Sequence, residues 1–410
     1  METIEFDVIV IGGGIMGSCA AYESAKRGLR TLLLEQFDFL HHRGSSHGES
    51  RTIRATYPEE YYAKMVLAAE PLWREAEAEI GYSVFFKTRQ LDMGPADNKA
   101  LQAVVSCCRN TSIPVRVLDP EQVREDFGGR FRLPDGWVGV VTEHGGVIKP
   151  TKAVSMFQAL AVKHGATLRD HVEVNGLERD SRTGGVSVTA KGGEKFLGKR
   201  CVVTVGAWAR RLVETVTDGR VVLPIQAVET NVSYWKIRAG HEEEFTAGSG
   251  FPSFASYDFP YVYGTPSIEF PGLIKVGWHG GREIEPERRT FAPLEGSLSL
   301  LKQWIEGRFG DRVDSSAPVM SQSCLYSMTP DEDYVIDFLG GEFGKDVVIA
   351  GGFSGHGFKM GPLVGRILVD LVRSGSSSGP HDLDPFRMDR FKENGKGNAK
   401  HFDHQVNVKL

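Results

Sequence analysis

A glycine-rich stretch near the start of the chain has the spacing of a phosphate-binding turn. Gly12, Gly14 and Gly17 fit the pattern G-x-G-x-x-G, in which the glycines allow a tight turn, close approach of backbone to a pyrophosphate and close helix packing. Glu35 ends the next predicted strand, where a carboxylate accepts hydrogen bonds from ribose hydroxyls and repels a 2′-phosphate. The pattern predicts a site for FAD or NAD rather than NADP, and it leaves the choice between FAD and NAD open.

Two arginines and one cysteine could do chemistry beside such a cofactor. Arg51 and Arg54 are close enough in sequence for both side chains to face one site. An arginine there could stabilise a negatively charged reduced flavin or bind a substrate carboxylate through two hydrogen bonds. Cys324 lies in a predicted strand, just before a turn over residues 329–332. Spacing alone favours simpler roles, namely a charged surface loop for the arginines and an inert core position for the cysteine.

The glycine pattern lies inside a predicted β-α-β unit. Residues 6–11 form an uninterrupted apolar run that is typical of a buried parallel strand. Residues 15–28 are predicted to be helical, with Gly28 at the end, and residues 30–34 form the next strand. Alternation of strands and helices returns in the middle of the chain and again from residue 333 onward, with strand-rich segments between.

This alternation predicts an α/β protein with a discontinuous Rossmann-like nucleotide-binding domain. The predicted segments of that domain are residues 1–84, 146–220 and 322–390. An inserted, mostly antiparallel β-sheet substrate domain is expected from residues 85–145 and 221–321. Residues 391–410 are predicted to form a polar C-terminal tail.

The composition argues against several other classes of protein. The chain has 410 residues and a formal net charge of -5, so it lacks the basic excess of a nucleic-acid-binding protein. It contains no apolar run of about 18 residues, so no membrane span is expected. The five cysteines are odd in number and include no C-x-x-C pair. They indicate neither a disulfide framework nor a metal site, and they favour a reducing compartment.

The C-terminal residues carry a possible targeting signal. A Ser/Gly-rich segment, RSGSSSGP at residues 373–380, precedes a polar stretch that ends in Val-Lys-Leu. This ending resembles the Ser-Lys-Leu peroxisomal signal, with Val408 in place of the usual small residue. The sequence therefore predicts a peroxisomal location, or a cytoplasmic one if the ending is only a frayed polar tail.

Five motifs occur together, and in the same order, in one family of flavoproteins. They are GSSHGESRTIRATY at residues 44–57, GAW at 206–208, IKVGWH at 274–279, CLYSMTPDEDYVID at 324–337 and GFSGHGFKMGP at 352–362. On these motifs the chain resembles the monomeric sarcosine oxidase and peroxisomal pipecolate oxidase family of amine-oxidising flavoproteins. The resemblance covers nearly the whole chain, from about residue 5 to residue 391.

The resemblance implies a role for each motif residue that could do chemistry. Cys324 matches the cysteine that bonds through sulfur to the 8α carbon of FAD, so a covalent 8α-S-cysteinyl FAD is expected. Lys275 matches the lysine that is tied to the reaction of reduced flavin with oxygen, and Arg51 and His279 are the other implied catalytic residues. The implied substrate-binding residues are Arg54 and Lys359, which match a carboxylate-binding pair, and the pocket residues Tyr263, Tyr326, His279 and His356. The implied cofactor-binding residues, besides Gly12, Gly14, Gly17 and Glu35, are Ser45, Ser46, Arg51, Val174, Cys324, Gly355, Gly357 and Lys359.

The resemblance also implies an activity. The expected enzyme transfers a hydride to FAD from the C–H next to nitrogen of a secondary amino acid, such as sarcosine, pipecolate or a related N-alkyl amino acid. Water then hydrolyses an open imine, and O2 reoxidises the flavin to give H2O2. The expected partners are the small substrate and O2, without nucleic acid or membrane, and the protein is expected to be a monomer. Two alternatives are an FAD dehydrogenase that passes electrons to a carrier and a non-enzymatic dinucleotide-binding redox sensor.

Overall fold

The fold is built from two large β-sheets and the helices that cover and connect them. The computed structural model describes residues 5–268, 270–377 and 382–400. Its strands are β1 (Phe6–Ile11), β2 (Thr31–Leu34), β3 (Arg51–Arg54), β4 (Phe85–Pro95), β5 (Arg116–Leu118), β6 (Trp137–Ile148), β7 (Thr167–Arg169), β8 (Val174–Asp180), β9 (Gly185–Ala190), β10 (Lys195–Val203), β11 (Gln226–Lys236), β12 (Ser253–Ser256), β13 (Val262–Thr265), β14 (Leu273–Trp278), β15 (Arg282–Glu283), β16 (Met320–Met328), β17 (Val335–Phe338) and β18 (Val347–Gly351). Its α-helices are α1 (Ile15–Lys26), α2 (Glu60–Ile80), α3 (Lys99–Asn110), α4 (Pro120–Asp126), α5 (Pro150–Lys163), α6 (Ala209–Val216), α7 (Glu295–Phe309), α8 (Gly361–Ser374) and α9 (Arg390–Glu393). None of the helices in these ranges is long and apolar enough to cross a bilayer.

The first sheet contains the parallel strands that the sequence predicts. Its order is β17-β18-β10-β1-β2-β7, and the β8–β9 hairpin extends it from β10. β1 pairs in parallel with both β2 and β10, and β10 pairs in parallel with β18. Val8 and Val10 of β1 face one hydrophobic core, whereas Ile9 and Ile11 face another. The uninterrupted apolar run of β1 therefore reflects burial on both faces of the sheet.

The second sheet is mostly antiparallel. Its order is β15-β11-β14-β13-β12-β4-β6-β3, and β16 and β5 pair with β11 and β6 beside this path. The pairing of β12 with β4 is parallel, and the other pairings are antiparallel. Helix α7 covers its aromatic core, in which the rings of Phe254 and Trp304 stack with centroids 5.5 Å apart. The predicted α/β class, with a Rossmann-like parallel sheet and a second antiparallel sheet, is confirmed.

Two strands have partners that their position in the chain does not suggest. β3 pairs with β6 and β16 pairs with β11, so both belong to the second sheet. The division inferred from the sequence places residues 51–54 and 322–328 in the nucleotide-binding domain, and sheet membership departs from it there. A strand sequence carries no mark of its partner, because pairing is decided by contacts between distant segments. The division into two domains itself stays a prediction.

Helix α8 packs closely on α1 at a glycine. A Cβ at Gly365 would lie 2.7 Å from the Cβ of Cys19, so the helices would have to separate to admit a side chain. Gly365→Ala is therefore expected to lower the free energy of unfolding by about 1–3 kcal/mol. The matched control is Gly307→Ala in α7, because a Cβ at Gly307 meets no atom within 4 Å. The control should raise stability by up to about 1 kcal/mol, and equal effects of the two changes in urea denaturation would contradict the close packing.

Candidate active site

The glycine-rich turn has no room for side chains at two of its positions. Gly12 has a φ of 103°, and a Cβ there would lie 2.6 Å from the carbonyl oxygen of Thr204. A Cβ at Gly17 would lie 1.9 Å from the carbonyl oxygen of Gly12. Gly14, the N-cap residue of α1, supplies no capping side chain. The turn thus brings bare backbone and the positive end of the α1 dipole to one place, as phosphate binding requires.

Two side chains hold this turn in place. Glu35, directly after β2, accepts hydrogen bonds from the N–H of Gly13 at 2.7 Å and the N–H of Phe37 at 3.0 Å. Ser46 Oγ accepts a hydrogen bond from the N–H of Ile15 at 3.0 Å. A buried carboxylate therefore lies beside the turn, where the sequence predicts the contact with ribose hydroxyls.

A cavity of about 320 Å³ begins at this turn. The predicted cofactor-binding residues that line it are Gly12, Gly14, Glu35, Ser45, Ser46, Arg51, Val174, Cys324, Gly355 and Gly357. Two other predicted cofactor residues do not line it. Gly17 allows α1 to approach the turn, and Lys359 lines a neighbouring space instead.

The neighbouring space is a cavity of about 190 Å³. All the predicted catalytic and substrate-binding residues line it: Arg51, Arg54, Tyr263, Lys275, His279, Tyr326, His356 and Lys359. The residues common to the two cavities are Arg51, Cys324, Tyr326, Gly355 and Phe358. The cavities therefore meet at the thiol of Cys324.

Arg51 contacts that thiol directly. Its Nη2 donates a hydrogen bond to the sulfur of Cys324 at 3.3 Å. The guanidinium is fixed by the carbonyl oxygens of Ser45, His47 and Ser50, at distances between 2.7 and 3.1 Å. The contact thus places a fixed guanidinium beside the sulfur, in the lining of the larger cavity. The arrangement suits a cysteine that reacts with an electrophile inside the larger cavity.

Lys359 presents a second cation to the smaller cavity. Its Nζ donates hydrogen bonds to the hydroxyl of Tyr57 and the carbonyl oxygen of His356, both at 2.8 Å. Burial, and after it the charge of Arg54, hold the pKa of Lys359 well below its ordinary value. A bound carboxylate would counteract both effects, because it would favour the protonated lysine.

Arg54 lies in the same cavity and keeps its charge. It donates hydrogen bonds to the carbonyl oxygen of Thr56 and to the hydroxyl of Tyr257, the latter at 3.3 Å. Burial opposes the charge, but Tyr257 and the buried carboxylate of Asp92 raise the pKa of Arg54 above its usual range. Arg54 and Lys359 together form a pair of donors for an anionic group.

Comparison with known proteins agrees with this geometry. A family model described as FAD dependent oxidoreductase matches residues 7–371. The chain belongs to the FAD-dependent oxidoreductase family. Together with the sarcosine oxidases among its relatives, this membership confirms the resemblance inferred from the motifs, and it decides the choice between FAD and NAD in favour of FAD.

Relatives of this FAD-dependent oxidoreductase match it over almost their entire length. It is 58% identical to the probable sarcosine oxidase of Arabidopsis thaliana, over 98% of this chain and 96% of that protein. It is 34% identical to the peroxisomal sarcosine oxidase of Homo sapiens, over 95% of this chain and 97% of that protein. It is 29% identical to the N-methyl-L-tryptophan oxidase of Citrobacter koseri, over 95% of this chain and 100% of that protein.

Solved structures share the fold. NikD, described as an unusual amino acid oxidase essential for nikkomycin biosynthesis, has a TM-score of 0.80 at 24% identity, covering 94% of this chain and 98% of that chain. L-Proline dehydrogenase from P. horikoshii also has a TM-score of 0.80 at 24% identity, covering 96% of this chain and 99% of that chain. At these identities the likeness is evidence for the fold alone.

The larger cavity of the FAD-dependent oxidoreductase fits its cofactor. The side-chain-free turn and the start of α1 suit a pyrophosphate, and Glu35 suits a ribose without a 2′-phosphate. The cavity continues from there to Arg51 and Cys324, where the smaller cavity begins. These features would suit an elongated dinucleotide: the turn and Glu35 would hold its pyrophosphate and ribose, and Arg51 and Cys324 would lie where the cavity meets the smaller one.

Lys275 is buried at the boundary of the site. Its Nζ donates a hydrogen bond to the carbonyl oxygen of Ser50 at 2.6 Å. Burial, and after it the charge of Arg51, lower the pKa of Lys275 to about 7. Both protonation states are therefore accessible near neutral pH, which suits a residue that gains and loses a proton during a reaction.

His356 is held by a network of hydrogen bonds. Its Nδ1 lies 2.9 Å from the hydroxyl of Tyr334 and 3.2 Å from that of Tyr57, and its Nε2 lies 3.1 Å from the carbonyl oxygen of Glu332. Burial, and after it Lys359, hold the pKa of His356 well below its ordinary value. The neutral ring orients the aromatic wall of the cavity and fixes the main chain that supports Lys359.

The remaining predicted pocket residues form an aromatic corner. The hydroxyls of Tyr263 and Tyr326 lie 3.4 Å apart, and the ring of His279 is tilted against Tyr326 with centroids 5.5 Å apart. Burial lowers the pKa of His279 and favours its neutral form. This corner offers ring faces and hydroxyl groups to an amine.

The sequence-based prediction missed several residues of the smaller cavity, among them Tyr57, Glu59, Tyr257 and Lys400. Tyr57 ends the motif GSSHGESRTIRATY, three residues after Arg54, so the motif itself could have pointed to it. Lys400 lies in the segment that is predicted to be a polar tail. No local pattern distinguishes it from Lys392 and Lys396, which are exposed in the described part of that segment.

The burial of Lys275 predicts a pH dependence of stability. Between about pH 7 and the usual lysine pKa of 10.5, the unfolded chain keeps a proton that folded Lys275 has lost. The penalty on folding is full below about pH 7, and it falls by up to about 1.4 kcal/mol per pH unit as the pH rises. Lys275→Met should therefore gain more stability over wild type at pH 7 than at pH 9.

Urea unfolding at both pH values measures this difference. The matched control is Lys87→Met, because Lys87 is an exposed lysine of β4. A stability gain in Lys275→Met that stays constant between pH 7 and pH 9 would contradict the lowered pKa.

Proposed function

We propose that this oxidoreductase is an FAD-dependent oxidase of secondary amino acids, such as sarcosine, another N-methyl amino acid or pipecolate. One observation carries the proposal: Arg54 and Lys359 line a cavity that meets the cofactor cavity at Cys324. Two cations in a small, partly aromatic space suit a carboxylate joined to an amine. The names of the relatives, sarcosine oxidases and an N-methyl-L-tryptophan oxidase, agree with that substrate class.

In this proposal, different residues of the smaller cavity bind the carboxylate and the amine of the substrate. Arg54 and Lys359 bind the carboxylate, and their charge fixes its position. Tyr263, Tyr326 and His279 hold the amine, since ring faces and hydroxyls accept a neutral or a cationic nitrogen. When bound, FAD supplies the redox chemistry by accepting a hydride from the carbon next to nitrogen and passing the electrons to O2 as H2O2.

Two basic residues act beside the cofactor in this proposal. Arg51 offers a fixed positive charge where negative charge develops. Lys275 can carry or release a proton near neutral pH because of its lowered pKa, and we assign it to the reaction with oxygen. Cys324, in contact with Arg51, is proposed to attach FAD covalently through its sulfur.

The proposal also covers the cellular location and the oligomeric state of the protein. The peroxisomal sarcosine oxidase of Homo sapiens supports a peroxisomal location. The Val-Lys-Leu ending lies outside the described residues. For the oligomeric state, we propose that the protein is a monomer.

A panel of secondary amino acids tests the proposed function. The holoprotein is expected to oxidise sarcosine, pipecolate or N-methyl-L-tryptophan under air with one H2O2 formed per substrate. Oxidation that reduces an artificial electron acceptor without forming H2O2 would show a dehydrogenase instead. No oxidation of any member of the panel would contradict the proposal.

Arg54→Ala extends the same experiment to the binding site. Loss of a charge-assisted contact with the carboxylate should raise KM by about 10- to 100-fold. The matched control is Arg210→Ala, since Arg210 is exposed on α6 and outside both cavities. A rise of only twofold in Arg54→Ala would remove Arg54 from its assigned role.

Cys324→Ser tests the covalent attachment. Acid precipitation should leave FAD with the wild-type protein and release it from the variant, because the hydroxyl of serine is a far weaker nucleophile than a thiolate. Cys107→Ser is the matched control, since Cys107 is a buried cysteine of α3 outside both cavities. FAD that stays attached to Cys324→Ser would disprove the attachment site.

A further inference from the structure

The end of the described chain is docked on the acidic turn between β16 and β17. Arg390 Nε and the backbone N–H of Asn398 donate hydrogen bonds to Asp331 Oδ2 at 2.7 and 2.8 Å. The side-chain amide of Asn398 donates to Asp333 Oδ2 at 2.7 Å. Residues 390–400 are therefore bound to the turn, although the sequence suggests a polar tail. We call them the docked segment.

Lys400, the last residue of the docked segment, lies in the wall of the substrate cavity. Its Nζ donates hydrogen bonds to Glu59 Oε1 at 2.7 Å, Asp333 Oδ1 at 2.9 Å and the hydroxyl of Tyr61 at 3.0 Å. Its side chain is only 6% exposed. Lys400, Glu59 and Asp333 all line the cavity of about 190 Å³. None of the three is among the residues that this cavity shares with the cofactor cavity.

The docked segment fits the turn closely at one glycine. Gly397 has a φ of 76°, and a Cβ there would collide with the carboxylate of Asp331. At Gly395 a Cβ would meet no atom within 4 Å. The approach of the segment to Asp331 therefore requires glycine at residue 397, and two residues earlier it does not.

Two tyrosines of α2 also bind the acidic turn. The hydroxyls of Tyr61 and Tyr62 donate hydrogen bonds to Asp333 Oδ1 at 2.8 and 3.0 Å, which holds α2 to the acidic turn. Lys400 adds a third side to this junction. Arg54 and Lys359 donate their hydrogen bonds to residues other than Lys400 and its partners, so a change at Lys400 removes none of those bonds.

We propose that Lys400 determines substrate size by closing the substrate cavity on the side away from the cofactor. The inference rests on the proposed function and names the side chain that limits it. With Lys400 in place the cavity suits small secondary amino acids such as sarcosine. A bulky side chain, such as that of N-methyl-L-tryptophan, would have to displace a buried lysine from two carboxylates.

The test compares small and bulky ligands in Lys400→Met. The ratio of kcat/KM for N-methyl-L-tryptophan to that for sarcosine is expected to rise by at least about fivefold. Binding of two unreactive ligands, measured through the flavin absorption of the holoprotein, should change in parallel. The dissociation constant of indole-3-acetate is expected to fall relative to that of acetate. Lys396→Met is the matched control, since Lys396 is exposed on the same segment, and it should leave both ratios within about twofold of wild type.

A second test displaces the docked segment through Gly397→Ala, which leaves the cavity residues unchanged, and uses Gly395→Ala as its control. Gly397→Ala should reproduce the shift of Lys400→Met, and Gly395→Ala should not. Lys400→Arg should keep the wild-type ratios, because arginine places a cation between the same two carboxylates. The Gly397 pair keeps the inference testable if Lys400→Met does not fold.

The outcomes separate this inference from the proposed function. A wild-type protein that oxidises none of the secondary amino acids would remove the proposed function. A wild-type protein that oxidises sarcosine, with unchanged ratios in folded, FAD-containing Lys400→Met and Gly397→Ala, would overturn the inference alone.

Discussion

The site depends on the contact between the guanidinium of Arg51 and the sulfur of Cys324. The two residues are 273 positions apart, and they lie on strands β3 and β16 of the second sheet. Their contact is the point where the cofactor cavity and the substrate cavity meet. Successive side chains of a strand point to opposite faces, so a shift of one residue in either strand would turn its reactive group away. The register of β16 on β11 therefore matters as much to the chemistry as the residue types do.

The site concentrates positive charge in a buried space. Arg51, Arg54, Lys275 and Lys359 make hydrogen bonds to carbonyl and hydroxyl oxygens. These acceptors orient the cations without neutralising them. Burial is the first cause of the lowered pKa of both lysines, as expected where charge is costly. An anionic ligand would offset this cost, which agrees with the carboxylate-bearing substrate that we propose.

The acidic turn of the motif CLYSMTPDEDYVID has a mainly structural task. Asp331 is bound to Arg390 and the backbone of Asn398, and Asp333 is bound to Lys400 and the tyrosines that begin α2. These carboxylates join the second sheet, helix α2 and the docked segment next to the substrate cavity. The same motif thus supplies, at its start, the thiol that Arg51 contacts and, seven to nine residues later, a structural anchor.

The sequence alone determined the features whose physical cause is local. The glycine pattern and Glu35 predict the dinucleotide site because a side-chain-free turn and a carboxylate at a strand end depend on neighbouring residues. The apolar run of β1 likewise predicts a buried parallel strand, and helix α1 occurs where the pattern places it. The roles of Cys324, Lys275 and Lys359 came from family motifs and not from spacing, since the segments that carry them are far apart in the chain.

Only the tertiary structure decided how these segments meet. It placed β3 and β16 in the second sheet, joined the two cavities at Cys324, and gave Lys275 its burial and its lowered pKa. It also brought Lys400, at the far end of the described chain, to Glu59 near the start of α2. Local sequence cannot encode such contacts, because their free energy comes from burial and charge pairing between residues that are neighbours only after folding.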